Sequence, residues 1–304
     1  MKISIIGLGR VGSTLAYTVM IKELCDELIL VNRRPEVAIG DAKDLQHALP
    51  FIERQMIIDA GAIPETADSD IVVMCASGHT PKNMRSRLEL GPANAELFEQ
   101  LIPPLAKASP QAKLIIVTNP VDALTYTAIK LSAYPPSRVL GTGTLIDSAR
   151  FRSMLSAEVG IHPDDLRAYI LGEHGPSQFP ALSLAQAGGE AIEDNRGRRR
   201  MFDQAVDAGF EVFRCKGYTN YAIAMAAALI IESIVFDKRH TMPISTLIDG
   251  YLGVRDVCLS VPVVVGREGI TRVLQPGLNE PEIEAFRASA ATVREAISEL
   301  LRGQ

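Results

Sequence analysis

The first twelve residues constrain this chain more than any other stretch. A short apolar run, Lys2–Ile6, leads into Gly7-Leu8-Gly9-Arg10-Val11-Gly12, and an apolar stripe at helical spacing (Val11, Leu15, Val19) follows. A bare G-x-G-x-x-G is a weak signal; between a strand and a helix it is the loop that cradles a dinucleotide pyrophosphate. Gly7 allows the tight turn, Gly9 lets backbone approach phosphate, and Gly12 lets helix and strand pack closely. A helix opening at Arg10 and Val11 then offers its free N–H groups to the phosphates.

A second strand over 28–32 ends twenty residues after Gly12, where an NAD-binding chain usually carries an acid for the ribose 2′-hydroxyl. Here the residues are Asn32, Arg33 and Arg34. A carboxylate would repel a 2′-phosphate, whereas an amide tolerates it and guanidiniums bind it. The residues therefore favour NADP over NAD, although one or both arginines could equally be solvated.

Further strands are expected over 55–59, 70–75, 113–118 and 138–140, with helices over 36–48, 91–108 and 122–132. This alternation argues for an α/β fold with a doubly wound parallel sheet, whose ligands lie beyond the carboxyl ends of the strands. The residues after the strands therefore carry the chemistry. Gly78 follows the fourth strand and precedes a polar loop, 79–86, that ends at Arg87 and reads as a candidate lid. Asn119, in Thr118-Asn119-Pro120-Val121-Asp122, is either a turn residue before proline or a contact beside a nicotinamide.

In the second half, Asp147 and Arg150 stand three apart at the start of a helix, so they share a face. Alone, they would also suit a surface ion pair worth about 0.2–0.5 kcal/mol. Downstream, a strand over 166–171 runs into Gly172-Glu173-His174-Gly175. A lone histidine is usually structural, but one between glycines just after a strand suits a proton that moves with a hydride. Asp147 is the obvious carboxylate to fix its tautomer. The arginine-rich stretch 194–201 reads as a solvated loop, 202–214, 221–236 and 281–301 as helices, and 257–265 as a buried strand.

Composition narrows the alternatives. A net charge of −5 gives no nucleic-acid footprint, and 47% hydrophobic residues over 304 positions can fill one large core or two smaller ones. Cys25, Cys75, Cys215 and Cys258 lack metal-like spacing, with Cys25 and Cys215 on helical patterns beside charged neighbours, so reduced thiols and no metal are expected. No signal peptide is visible, and the most apolar run, 222–231, is too short to span a bilayer. These readings point to a cytoplasmic protein with no membrane partner.

Taken together, Ile5-Ile6-Gly7-Leu8-Gly9, Thr118-Asn119-Pro120-Val121-Asp122, Asp147-Ser148-Ala149-Arg150, Gly172-Glu173-His174-Gly175 and Val265-Gly266-Arg267-Glu268-Gly269 resemble the L-lactate and malate dehydrogenases and their L-2-hydroxyacid relatives. The likeness spans essentially the whole chain. It implies a Rossmann dinucleotide-binding domain over 1–144 and an α+β catalytic domain over 145–304. It also implies a homodimer or homotetramer that acts on a small 2-hydroxy or 2-oxo acid. His174 would be the acid/base and Asp147 its orienting partner. Arg150 would grip the substrate carboxylate, and Arg87 would polarise the C2 oxygen as the lid closes. Asn119 would bond near the same oxygen and Thr219 would line the side-chain pocket. On this reading Asp147 and Arg150 face different partners and need not pair.

Three departures from the family pattern stand out. Asn32 replaces the usual acid. Pro81 occupies the lid position where lactate enzymes carry Gln and malate enzymes Arg, leaving Lys82 or Arg85 to reach in. Pro176 stands where Asp commonly follows His-Gly. Gly141-Thr142-Gly143-Thr144, Gly217-Tyr218-Thr219 and Ser177-Gln178-Phe179 lean toward a lactate-like monocarboxylic substrate, whereas 251–270 resembles archaeal-type malate enzymes. A malate dehydrogenase is thus the nearest alternative. A catalytically inactive nucleotide-binding sensor is a remote one, since Arg87, Asp147, Arg150 and His174 are all present. Arg152 and Arg167 match positions that hold a sugar bisphosphate in allosteric bacterial relatives, though both could be ordinary surface arginines.

Overall fold

Apolar strands buried on both faces alternate with amphipathic helices in the first half of the computed structural model, which describes residues 1–78 and 90–302. In chain order the first half contains β1 (Lys2–Ile6), α1 (Arg10–Ile21), β2 (Glu27–Val31), α2 (Pro35–Ala48), β3 (Ile57–Gly61), β4 (Ile71–Met74), α3 (Gly91–Ala108), β5 (Lys113–Ile116), α4 (Val121–Ser132) and β6 (Val139–Gly141). β1 to β6 run parallel in the order β3-β2-β1-β4-β5-β6. Ile3, Ile5, Leu28, Leu30, Val73 and Ile115 are fully buried along their middle. Burial on both sides is why these strands read as continuous apolar runs rather than alternating ones. The strand order reverses between β1 and β4, opening a crevice beyond their carboxyl ends.

The second half begins with α5 (Leu145–Val159) and the short strands β7 (Leu166–Arg167), β8 (Ile170–Leu171), β9 (Phe179–Pro180), β10 (Gln186–Ala187) and β11 (Glu190–Ala191). It continues with α6 (Arg196–Lys216), α7 (Tyr221–Val235), β12 (His240–Asp249), β13 (Arg255–Gly266), β14 (Gly269–Val273) and α8 (Glu280–Arg302). β12, β13 and β14 are antiparallel and extend the first sheet past β6 through the pair Ser245–Gly141. Among the described residues that sheet has nine strands. A smaller core forms around Phe151, Leu155, Leu166 and Ala205, with Phe151 and Phe202 meeting edge to face at 6.5 Å.

Four local expectations are corrected. The stretch 194–201 is not a loop: the Asn195 side chain accepts from the Arg198 N–H at 2.9 Å and starts α6 at Arg196. Arginine is a good helix former, and this run of them hides the helical periodicity from an apolar-pattern search. The expected strand at 166–171 splits in two, β7 pairing with β10 and β8 with β9. β12 was not expected at all, since its interior proline, Pro243, argues against a strand. Cys25 lies after α1 rather than on a helix and is fully buried.

Candidate active site

The glycine loop has the geometry that its sequence predicts. Gly7 adopts φ +97°, and a Cβ there would lie 2.4 Å from the Ala76 Cα, so β1 and the end of β4 meet where only glycine fits. A Cβ on Gly12 would lie 2.0 Å from the Gly7 carbonyl oxygen, whereas one on Gly9 would point into open space. No side chain caps α1 and no acidic residue sits in its first turn. Its N–H groups and positive dipole end therefore stay available to an anion above Gly9. These residues fit a dinucleotide pyrophosphate. Val11, half-buried, packs on the main core beside them.

Beyond the loop, the Arg10 guanidinium stacks on the Tyr218 ring at 4.5 Å, with Lys216 Nζ 4.4 Å from the same ring centroid. Asn220 Nδ2 donates to Thr14 Oγ1 at 2.8 Å. These contacts hold the junction of α6 and α7, and with it half-buried Thr219, against the first turns of α1. At the crevice floor, the Gly78 N–H donates to Asn94 Oδ1 at 2.7 Å, and Asn94 Nδ2 donates to the Asn119 carbonyl at 2.7 Å. Fully buried Asn94 on α3 thus joins two residues that the sequence marked separately, and its own sequence context gave no sign of this. Asn119 Oδ1 is buried with no hydrogen-bond partner among the described residues, an unmet need that a bound polar group would meet.

Asn32 ends β2 with its Nδ2 3.4 Å from the Arg34 carbonyl, and the side chains of Arg33 and Arg34 are exposed. Arg87, Pro81 and Arg85 lie outside the described residues.

The second half of the site converges on His174. Asp147, 2% exposed on the first turn of α5, places Oδ2 2.6 Å from His174 Nδ1 and Oδ1 3.1 Å from Arg150 Nη1. A carboxylate can only accept, so Nδ1 of the neutral imidazole carries the proton. The expectation that Asp147 and Arg150 need not pair is corrected: one buried carboxylate holds both, because the i,i+3 spacing on α5 puts Arg150 within reach of its second oxygen. The Arg150 side chain also lies under α6, where a Cβ on Gly209 would come within 3.2 Å of its Nη1.

The loop carrying His174 is held from three sides. The Gly172 N–H donates to the Ser260 carbonyl on β13 at 3.0 Å, the Glu173 N–H to Ser289 Oγ on α8 at 2.6 Å, and the His174 N–H to Asp122 Oδ2 on α4 at 2.7 Å. Gly172 bends the chain at φ +90°. The Glu173 carboxylate is buried and accepts from the Ser177 N–H and hydroxyl, closing the turn. Ser148 Oγ accepts from the Ile170 N–H at 2.9 Å, so α5 and β8 are locked in register and Asp147 meets His174. Burial pushes the Asp122 carboxyl up to about 7, despite the Ser245 hydroxyl and the His174 N–H, which favour its ionised form. Nearby Arg152 has its guanidinium lowered by burial, with Tyr169, Arg167 and Asp164 around it.

A parallel sheet with a phosphate loop at its reversal point and a carboxylate–histidine pair in the adjoining half defines a dinucleotide-dependent oxidoreductase. The family model for the lactate/malate dehydrogenase NAD-binding domain matches residues 1–141, and that for the family's alpha/beta C-terminal domain matches residues 144–303. The chain is 38% identical to an L-lactate dehydrogenase of Acetivibrio thermocellus, over 98% of this chain and 97% of that one. It is 38% identical to one of Salinibacter ruber (99% and 98%) and 39% identical to one of Thermoanaerobacter pseudethanolicus (98% and 99%). The chain belongs to the lactate/malate dehydrogenase family. Among the described residues, no helix is long and apolar enough to cross a membrane, and no group of three or more His, Cys, Asp or Glu could hold a metal ion.

Proposed function

We propose that this protein is an NAD(P)-dependent L-2-hydroxyacid dehydrogenase that interconverts a lactate-like monocarboxylic 2-hydroxy acid and its 2-oxo acid. Residues 1–144 hold the cofactor and 145–304 the acid/base. The observation that carries this reading is one buried carboxylate, Asp147, holding both an imidazole and a guanidinium beside the crevice.

The nicotinamide, when bound, supplies or takes the hydride at substrate C2. In reduction, His174 Nε2–H gives its proton to the C2 oxygen; in oxidation, neutral Nε2 takes it back. Asp147 keeps Nδ1 protonated and stabilises the imidazolium, which fixes the ring for both directions. Arg150 grips the substrate carboxylate through two parallel N–H bonds, which orients C2 toward the nicotinamide. Arg87 polarises the C2 oxygen as the lid excludes water. Asn119 contacts the same region, and Thr219 bounds the substrate side chain. Gly7, Gly9, Arg10, Val11, Gly12 and Gly78 surround the pyrophosphate and nicotinamide ends.

The preference for NADP over NAD rests on Asn32 in place of an acid and on the exposed guanidiniums of Arg33 and Arg34. The monocarboxylic preference rests on Pro81, which supplies no cation for a second carboxylate. A steady-state panel of pyruvate, longer 2-oxo acids and oxaloacetate, each with NADH and NADPH, tests both. Oxaloacetate turning over fastest would establish the malate reading instead, and no turnover of any 2-oxo acid would overturn the function.

We also propose a homodimer or homotetramer. Tyr17 and Ile21 on α1 and Tyr221 and Met225 on α7 are exposed on two helices that pack together, leaving an apolar face for a second copy. A monomeric mass in sedimentation at micromolar concentration would refute this. Burial and the neighbouring Arg167 both disfavour the charge on Arg152, and an anion shared between subunits would relieve that. Kinetics and assembly unchanged by fructose 1,6-bisphosphate or phosphate would end that idea.

A further inference from the structure

His174 is bound twice by carboxylates, once at its ring by Asp147 and once at its main-chain N–H by Asp122. The second contact has no part in the proton transfer described above. Asp122 is 3% exposed, stands in the first turn of α4, and follows Asn119 by three residues. Its Oδ2 takes the His174 N–H at 2.7 Å. The Ser245 hydroxyl of β12 lies close enough to favour the ionised form, yet neither Asp122 Oδ1 nor Ser245 Oγ completes a hydrogen bond of ordinary geometry. A buried carboxyl with a half-satisfied shell is costly to keep for packing alone, since an apolar residue of similar shape would avoid the desolvation.

We propose that Asp122 is a positioning residue for the acid/base: it clamps the His174 main chain to the N-terminus of α4 and thereby sets the imidazole in register with Asn119. The claim rests on the dehydrogenase reading above. The other titratable and charged groups facing Asp122 are Glu173 and His174 on the loop, Asp147 on α5 and Cys258 on β13. Two of these, Glu173 and Asp147, are acids whose charges disfavour a further anion at Asp122. The β5–α4 turn, which carries the cofactor-side Asn119, then moves with the His174 loop as one unit.

The test uses the full chain with Asp122→Asn, Asp122→Ala and Ser245→Ala. The asparagine keeps an oxygen that accepts from the His174 N–H but removes the charge; the alanine removes both. For Asp122→Ala, kcat falls about 10- to 100-fold, the loss that goes with an ångström of misplacement, while cofactor affinity is unchanged. For Asp122→Asn, whose side-chain oxygen still accepts from the His174 N–H, kcat is largely restored. Ser245→Ala, which removes only the hydroxyl beside the Asp122 carboxyl, lowers kcat by a smaller amount and stands in if both Asp122 variants fail to fold. A purely structural role would lower melting temperatures and leave kcat per folded site unmoved in every variant; that result overturns the proposal. If the unaltered chain itself turns over no 2-oxo acid, the dehydrogenase reading fails first; normal turnover with unmoved variants refutes only the role of Asp122.

Discussion

Asp147 and His174 are twenty-seven residues apart in the chain and meet at 2.6 Å, carboxylate to imidazole, in a site that leaves Asp147 almost no exposure to water. The same carboxylate reaches forward three residues to Arg150, so on the proposed reading proton transfer and carboxylate binding share one buried anchor. Moving α5 would disturb both at once.

Arg150→Lys separates the two functions. Lysine keeps the charge but cannot make two parallel bonds to a carboxylate. Losing one charged hydrogen bond lowers kcat/KM by about 10- to 100-fold, mostly through KM. Steady-state kinetics with pyruvate checks this, and an unchanged KM would contradict the assignment of Arg150 to the substrate carboxylate.

Asn32→Asp tests the proposed cofactor preference. Asn32→Asp places an anion where a 2′-phosphate would sit, and such like-charge contacts cost enough to lower the NADPH-to-NADH ratio of kcat/KM about tenfold or more. The ratio is read directly from the two cofactors under one substrate. A ratio that does not move would show that Asn32 is remote from the ribose.

How much of this was legible in the sequence follows from where the chemistry lies along the chain. The glycine loop was readable because contiguous residues do all of its work. The pairing of Asp147 with His174 was readable because a histidine between glycines after a strand needs a carboxylate. Asn94 was not, since its two partners, Gly78 and Asn119, come together only when α3 packs against α4. Asp122 belonged to a marked motif, yet its partner is a main-chain N–H that leaves no trace in residue identity. β12 was hidden by Pro243, and the first turns of α6 by their arginines.

Gly172→Ala probes the turn that aims the histidine. The residue adopts φ +90°, and a Cβ would come 2.5 Å from Ser289 Oγ, the atom that accepts from the Glu173 N–H. Backbone strain of this kind costs about 1–3 kcal/mol. Denaturant unfolding should show a lower midpoint, accompanied by a fall in kcat. Full stability and full activity together would mean that the loop relaxes at no cost.

The buried Asp122 carboxyl also shapes the stability curve. It is raised by burial from an ordinary value of 3.8 to about 7 in the folded chain. Between those values the folded state holds a proton that the unfolded state has lost, so this group's contribution falls as pH rises. Asp122→Asn has no such ionisation, and its melting temperature relative to the parent chain rises from acidic to neutral pH. An offset that stays constant with pH would contradict the raised value.

The most direct test of the account is hydride transfer to pyruvate by the intact chain and by His174→Ala, with NADH and NADPH binding followed by fluorescence in parallel. The acid/base role predicts unchanged cofactor affinity and turnover lowered by about 10²–10⁴-fold. Near-normal turnover by His174→Ala would contradict it.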